Sequence, residues 1–162
     1  MKLFITDIDD TLSVGEVVAN EVREACSRLR GAGWDILVAT GRTYNTACGH
    51  MEAIGVTCPS ILYNGGRIMD PSGRALHSRL MENALANRIL KYVWTLPLEL
   101  HMSGDEHIIC RETDTETRRF FAGSSPIRLT AEPVVTEPVF RICLWMDAQL
   151  MPETERDLRA RF

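Results

Sequence analysis

Lysine is almost missing from this chain: Lys2 and Lys91 are the only ones, so arginine carries nearly all of the positive charge. The cysteines Cys26, Cys48, Cys58, Cys110 and Cys143 form no C-x-x-C pair and no Cys/His cluster, which argues against a zinc site. An odd number scattered through apolar stretches predicts buried free thiols in a reducing compartment. The opening apolar stretch is broken by Asp7 before a signal-peptide core forms, and no run is long enough to span a bilayer. These absences predict a soluble, cytoplasmic protein with no membrane partner. A formal net charge of −4 gives no general attraction to nucleic acid. Gly-rich nucleotide motifs are lacking, and His50, His77, His101 and His107 fall in no triad pattern. Trp34, Trp94 and Trp145 read as core residues rather than a platform for bases.

What is present is ordinary globular material: 162 residues, 45% hydrophobic and 25% charged, enough for one domain or one domain with a modest second lobe. Leu3 to Ile8, Ile36 to Ala39 and Ser60 to Tyr63 are short apolar runs that read as buried strands. Between them lie helical patterns, one capped by Asn20 and ending near Gly31 to Gly33, the other over Tyr44 to Ile54 and stopping at Gly55. Strand–helix alternation predicts a parallel sheet with covering helices, an α/β arrangement.

The pattern then changes. Turn signals at Asn64-Gly65-Gly66 and Asp70-Pro71-Ser72-Gly73 predict a hairpin near Arg67 to His77. Beyond it the order becomes helix (Glu82 to Trp94), strand (Leu98 to Met102), strand (His107 to Arg111) and helix (Thr115 to Ala122), then strand (Val139 to Met146) and helix (Pro152 to Arg161). The turn Ser103-Gly104-Asp105 makes the first two strands an antiparallel hairpin, so this half reads as α+β. The boundary falls near Leu80, giving units of 1–80 and 81–162.

Chemistry concentrates in F-I-T-D-I-D-D-T-L, residues 4 to 12. A buried parallel strand delivers Asp7 and Asp9, spaced i and i+2, to its carboxyl end, where α/β sheets bind ligands. Alone, such a pair is as well explained by the preference of Asp for turns. A second element agrees with it: the strand I-L-V-A runs into Thr40-Gly41-Arg42. A hydroxyl there suits a phosphoryl oxygen, and Gly41 permits close backbone approach. The competing reading of Thr40 is a helix N-cap.

These residues resemble the haloacid dehalogenase (HAD) superfamily of phosphohydrolases. Its first motif, D-x-D-x-T-L, stands as Asp7-Ile8-Asp9-Asp10-Thr11-Leu12, and its second as Thr40. The T-G-R triplet with Y-N-G-G at residues 63 to 66 resembles the Cof-type (class IIB) branch, although position 10 is Asp where that branch usually has Gly. The resemblance implies a partial Rossmann-like core followed by an α+β cap domain. It also implies hydrolysis of a small phosphorylated metabolite through an aspartyl-phosphate on Asp7. Asp9 would act as acid and base, and Mg²⁺ would be held by Asp7 and the Asp9 backbone carbonyl. Thr40, Gly41, Arg42 and Asn64 would meet the substrate; for Arg42 and Asn64 a structural hydrogen bond is an equal reading.

Two family motifs have no match. No lysine follows the cap pattern, and the acidic G-D-x-x-x-D element fails at both partial fits, because position 109 is Ile after Gly104-Asp105 and position 151 is Met after Asp147. The resemblance thus implies a chain that stops within its cap, with weak or no activity alone. The first strand would then be an exposed apolar edge, to be covered by a second copy, a completing chain or a rearranged segment. A non-catalytic remnant or an interaction module using that edge is the alternative.

Overall fold

The structure is a computed structural model that describes residues 1–104 and 107–162. The chain divides into two units, Met1–Arg79 and Leu80–Phe162. The first runs β1 (Lys2–Thr6), β2 (Ser13–Val14), β3 (Val17–Val18), α1 (Asn20–Gly31), β4 (Trp34–Val38), α2 (Tyr44–Ile54), β5 (Ser60–Leu62), β6 (Arg67–Met69) and β7 (Ala75–Ser78). β1 and β4 pair in parallel, with Thr6 opposite Val38. Ala39 bridges Ile61 in the same sense, and Thr40 N donates to Ile61 O at 2.9 Å, so β5 follows β4. The expected α/β arrangement is present, and β5-β6-β7 extends it as an antiparallel ladder.

The physical cause is the run of apolar side chains: Ile36, Val38 and Leu62 are wholly buried between the strands and their helices. β1 pairs with β4 alone among the described residues, and its Ile5 is 56% exposed. β1 also ends earlier than expected, at Thr6 rather than Ile8. The reason is local. The N–H groups of Thr11, Leu12 and Ser13 all donate to the Ile8 carbonyl, curling the chain as soon as the strand stops. A second correction concerns α1: Ala19 occupies the N-cap without a side-chain bond, and Asn20 is already helical. α2 is capped by Thr43, whose hydroxyl accepts from Thr46 N, and it ends at Gly55 as expected.

The second unit runs α3 (Asn83–Val93), β8 (Glu99–Ser103), β9 (Ile108–Cys110), α4 (Thr115–Phe121), β10 (Ile127–Leu129), β11 (Arg141–Trp145) and α5 (Met151–Arg161). Its sheet has the order β10-β9-β8-β11. β8 and β9 form the expected antiparallel pair; Asp105, placed in their turn by the sequence, lies outside the described residues. One sheet face sends Leu100, Met102 and Ile109 into a core with Ala86, Leu90, Val93, Val135 and Val139. Tyr92 Oη donates to Asp157 at 2.9 Å, tying α5 to α3. Two of the cysteines, Cys26 and Cys110, are buried free thiols as expected, and the other three are half-buried. No helix among the described residues is long and apolar enough to cross a membrane.

On the other sheet face, His101 sits opposite Cys110 on one neighbouring strand and Cys143 on the other. Its ring meets Phe121 and Trp145 edge-on, with centroids at 4.8 and 6.2 Å. It is 3% exposed, and neither ring nitrogen has a hydrogen-bond partner among the described residues. Burial first, then the Arg141 charge, lowers its pKa to about 4, while Asp114 pulls weakly the other way. An unfolded histidine takes its proton near pH 6.5, so acid favours the unfolded chain over the native one. The native state is therefore expected to lose about 2 kcal/mol by pH 5 relative to pH 8. Urea unfolding across that range checks this, with His101→Leu expected to remove most of the slope.

Candidate active site

The site begins where β1 stops. Asp7 leaves the strand exposed, and its Oδ1 accepts from Ile8 N at 2.7 Å, which fixes the carboxylate against its own backbone. Ile8 is fully buried and anchors the curl. Within it Asp10 has φ +55°, a left-handed conformation that Asp tolerates better than most side chains. The resemblance implies Gly at this position, and a positive φ is one that Gly adopts without strain.

The second strand end lies in step with the first, because Ala39 N donates to Thr6 O. Thr40 is 5% exposed, and its Oγ1 accepts from Arg42 N at 3.3 Å, which leaves the hydroxyl hydrogen to donate elsewhere. The N-cap reading of Thr40 fails, since Thr43 holds that place. A third loop closes on these two. Tyr63 N donates to Arg42 O and Asn64 N to Thr40 O, so the backbone stitches the loops together. Gly41 leaves room for the Asn64 side chain: a Cβ there would stand 2.6 Å from Asn64 Oδ1, which would have to shift.

Arg42 faces the first loop. Its Nε donates to both Asp9 oxygens at 3.1 and 3.2 Å, and its Nη2 reaches Asp9 Oδ1 at 2.8 Å. Nη1 donates to Glu16 Oε2 and to Thr46 O, both at 3.0 Å, and Nη2 also reaches Glu16 Oε1 at 3.3 Å. Hydrogen bonds from Arg42 hold the Asp9 carboxyl below the usual carboxylate range against the opposing effect of burial, and nearby His50 adds a smaller pull. The same bonds, Asp9 first, raise the Arg42 pKa above its ordinary value. Asp9, Arg42, Thr40, Gly41 and Asn64 are thus brought together, with Asp7 leaving the adjacent strand end.

Glu16 is the member that sequence reading missed. It follows Gly15 in the two-residue loop joining β2 and β3, where an acidic residue looks like an ordinary solvated turn. Lys2, the one lysine of this unit, is not among the residues bonded at the site. Lys2 opens β1, with its ammonium 5.9 Å from the Trp34 ring centroid, and Lys91 lies on α3 of the other unit. Among the described residues no three His, Cys, Asp or Glu side chains are grouped to hold a metal. The hard oxygen donors that remain are the Asp7 carboxylate and the Asp9 carbonyl. The main-chain bonds knitting the curl end on the Ile8 and Ser13 carbonyls and leave the Asp9 carbonyl out. That donor chemistry fits Mg²⁺, which takes one or two protein oxygens and fills its shell with water or phosphate.

Residues 4–162 match the family of haloacid dehalogenase-like hydrolases. The chain is 31% identical over 94 residues to the phosphatase YwpJ of Bacillus subtilis, covering 57% of this chain and 33% of that protein. It is 29% identical over 110 residues to the 5-amino-6-(5-phospho-D-ribitylamino)uracil phosphatase YwtE of the same organism, covering 67% and 38%. A haloacid dehalogenase-like hydrolase from Bacteroides thetaiotaomicron has the same fold, with a TM-score of 0.80 at 22% identity, over 99% of this chain and 64% of that one. The chain therefore spans about a third of the length of the curated relatives it matches. On the extent of this match, the chain belongs to the haloacid dehalogenase-like hydrolases and carries the T-G-R and Y-N-G-G marks of their Cof-type branch.

Proposed function

We propose that this chain supplies the nucleophile half of a phosphomonoesterase acting on small phosphorylated metabolites. The observation that carries the reading is the convergence of Asp7, Asp9 and Thr40 on neighbouring strand ends, stitched to the Asn64 loop by backbone bonds. In it an Asp7 oxygen attacks phosphorus in line, and the bond from phosphorus to the ester oxygen breaks. Asp9, ionised beside Arg42 at rest, takes up a proton as substrate binds and gives it to the departing oxygen. Water then attacks the aspartyl-phosphate while Asp9 takes its proton, and Asp7 is released. Thr40 donates its free hydroxyl hydrogen to a transferring oxygen. The Asp7 carboxylate and the Asp9 carbonyl would hold Mg²⁺, which supplies neutralising charge at the phosphate when bound.

Two groups that stabilise charge in the resembling enzymes, a lysine and further acidic ligands, have no counterpart in these residues. Each such loss costs roughly 10²–10³ in rate, so the chain alone is expected to turn over slowly. The edge of β1 that is unpaired among the described residues is where a completing chain would pair and supply them. The substrate named for YwtE motivates a screen that includes ribityl phosphates.

The test is phosphate release from p-nitrophenyl phosphate with Mg²⁺ and with a chelator. Mg²⁺-dependent release supports the reading. Its complete absence favours the second reading, a non-catalytic remnant, which the engagement of Arg42 within its own unit also favours.

A further inference from the structure

The guanidinium of Arg42 is fully spoken for. Arginine has five N–H donors in a rigid plane. Nε uses its one on Asp9; Nη2 divides its pair between Asp9 and Glu16; Nη1 divides its pair between Glu16 and Thr46 O. Asp9 takes the side edge of the fork and Glu16 the end edge, so both edges of one plane are held at once. The Arg42 side chain is only 13% exposed, whereas those of Asp9 and Glu16 are 53% and 73% exposed. The arginine is thus the fixed member and the two carboxylates approach it from the solvent side.

Glu16 is itself held by construction. β2 and β3 are joined by Gly15 and Glu16 alone, with Val14 opposite Val17. Gly15 has φ +71° at the first central place of that loop, as a type II′ hairpin turn requires. The hairpin is rooted on one side in the curl, through Asp10 N donating to Ser13 O. On the other side Val18 is buried, and its carbonyl accepts from Arg23 Nε at 3.1 Å. Its tip therefore stands over Arg42 as a stiff arm rather than a loose loop.

We propose that Glu16 is a positioning residue for Asp9, acting through Arg42. By holding the end of the guanidinium it fixes the plane whose side edge grips the Asp9 carboxylate, and so couples the β2–β3 hairpin to that carboxylate. The role rests on Asp9 being the acid–base group of the phosphatase reading. It also gives Arg42 a duty other than substrate contact: with every donor engaged, it meets a phosphate only by giving up one of these bonds.

The experiment reads the clamp without substrate, by NMR of the full chain at a fixed neutral pH. In the native protein the two Arg42 Nη groups are expected to give separate, slowly exchanging signals, because both edges are bonded. Glu16→Ala should merge them and move the Asp9 side-chain carboxyl ¹³C resonance in the direction seen for Arg42→Lys. Glu16→Gln, which keeps an acceptor oxygen, should restore part of both. An Asp9 resonance that moves in Arg42→Lys and stays put in Glu16→Ala would overturn the proposal, leaving Glu16 as a surface ion pair. Merged Nη signals in the native protein would overturn it too. Either failure leaves the phosphatase reading to be judged separately by the hydrolysis assay.

Discussion

The Asp7→Asn variant is expected to lose all Mg²⁺-dependent release of phosphate while folding as the native chain does. Asparagine has nearly the same shape, and its Oδ1 still accepts the 2.7 Å bond from Ile8 N that fixes this side chain. Asp7 is exposed, so the change should alter stability by no more than about 0.5 kcal/mol. What disappears is the nucleophile: an amide oxygen is a poor attacking group and forms no acyl phosphate. Acid quenching with ³²P-labelled substrate should trap label on the native chain and none on the variant. Circular dichroism and urea unfolding of the two should coincide. Equal turnover by both chains would remove Asp7 from the chemistry and take the phosphatase reading with it.

Much of the fold was legible because the first unit obeys simple periodicities. The runs around Ile36 and Val38 are continuous and apolar, which a strand buried on both faces requires, and the observed strand is wholly buried at those two positions. Turn chemistry at Asp70–Gly73 was equally plain, and Asp70 there accepts from both Ser72 and Arg74. Strand ends were less legible. β1 looked longer than it is because Ile8 is apolar, yet Ile8 is buried as the anchor of a curl rather than as strand. The β2–β3 hairpin escaped notice because two-residue strands show no alternation, and β10 because Ile-Arg-Leu is too short to stand out. The missed Glu16 follows from the same fact. It is 26 residues from Arg42 in sequence, and only the unseen hairpin brings the two within 3.0 Å. Asp9 and Arg42, 33 residues apart, were each singled out from local motifs, but their pairing was not, since a motif records which residues are present and not which way a guanidinium turns.

The largest stability effect is expected at Asp114 in the second unit, a residue with no part in the proposed chemistry. Its side chain is wholly buried, and Arg111 supplies its partners: the main-chain N–H to Oδ2 at 2.7 Å, Nε to both oxygens at 2.9 and 3.0 Å, and Nη2 to Oδ1 at 2.6 Å. The same Nη2 donates to the Leu98 carbonyl, and the guanidinium lies over the Trp94 ring at 5.3 Å. One carboxylate thus fixes the turn between β9 and α4, and the arginine it neutralises ties that turn back toward β8. Truncation by Asp114→Ala leaves a largely buried cation and an orphaned N–H, a change that typically costs about 3–5 kcal/mol. Against a usual total of about 5–15 kcal/mol, that would leave the unit close to unfolding at ambient temperature. Trp94 fluorescence during urea unfolding should report the loss directly. Asp114→Asn, which keeps acceptor and donor capacity but no charge, should cost less. Replacing both partners by apolar residues, as in Arg111→Met with Asp114→Leu, should recover much of the loss, because the penalty lies in the unpaired charge more than in the missing attraction. A drop below about 1 kcal/mol for Asp114→Ala would mean that the arginine finds water or another acceptor, and that the turn is held by the chain around it.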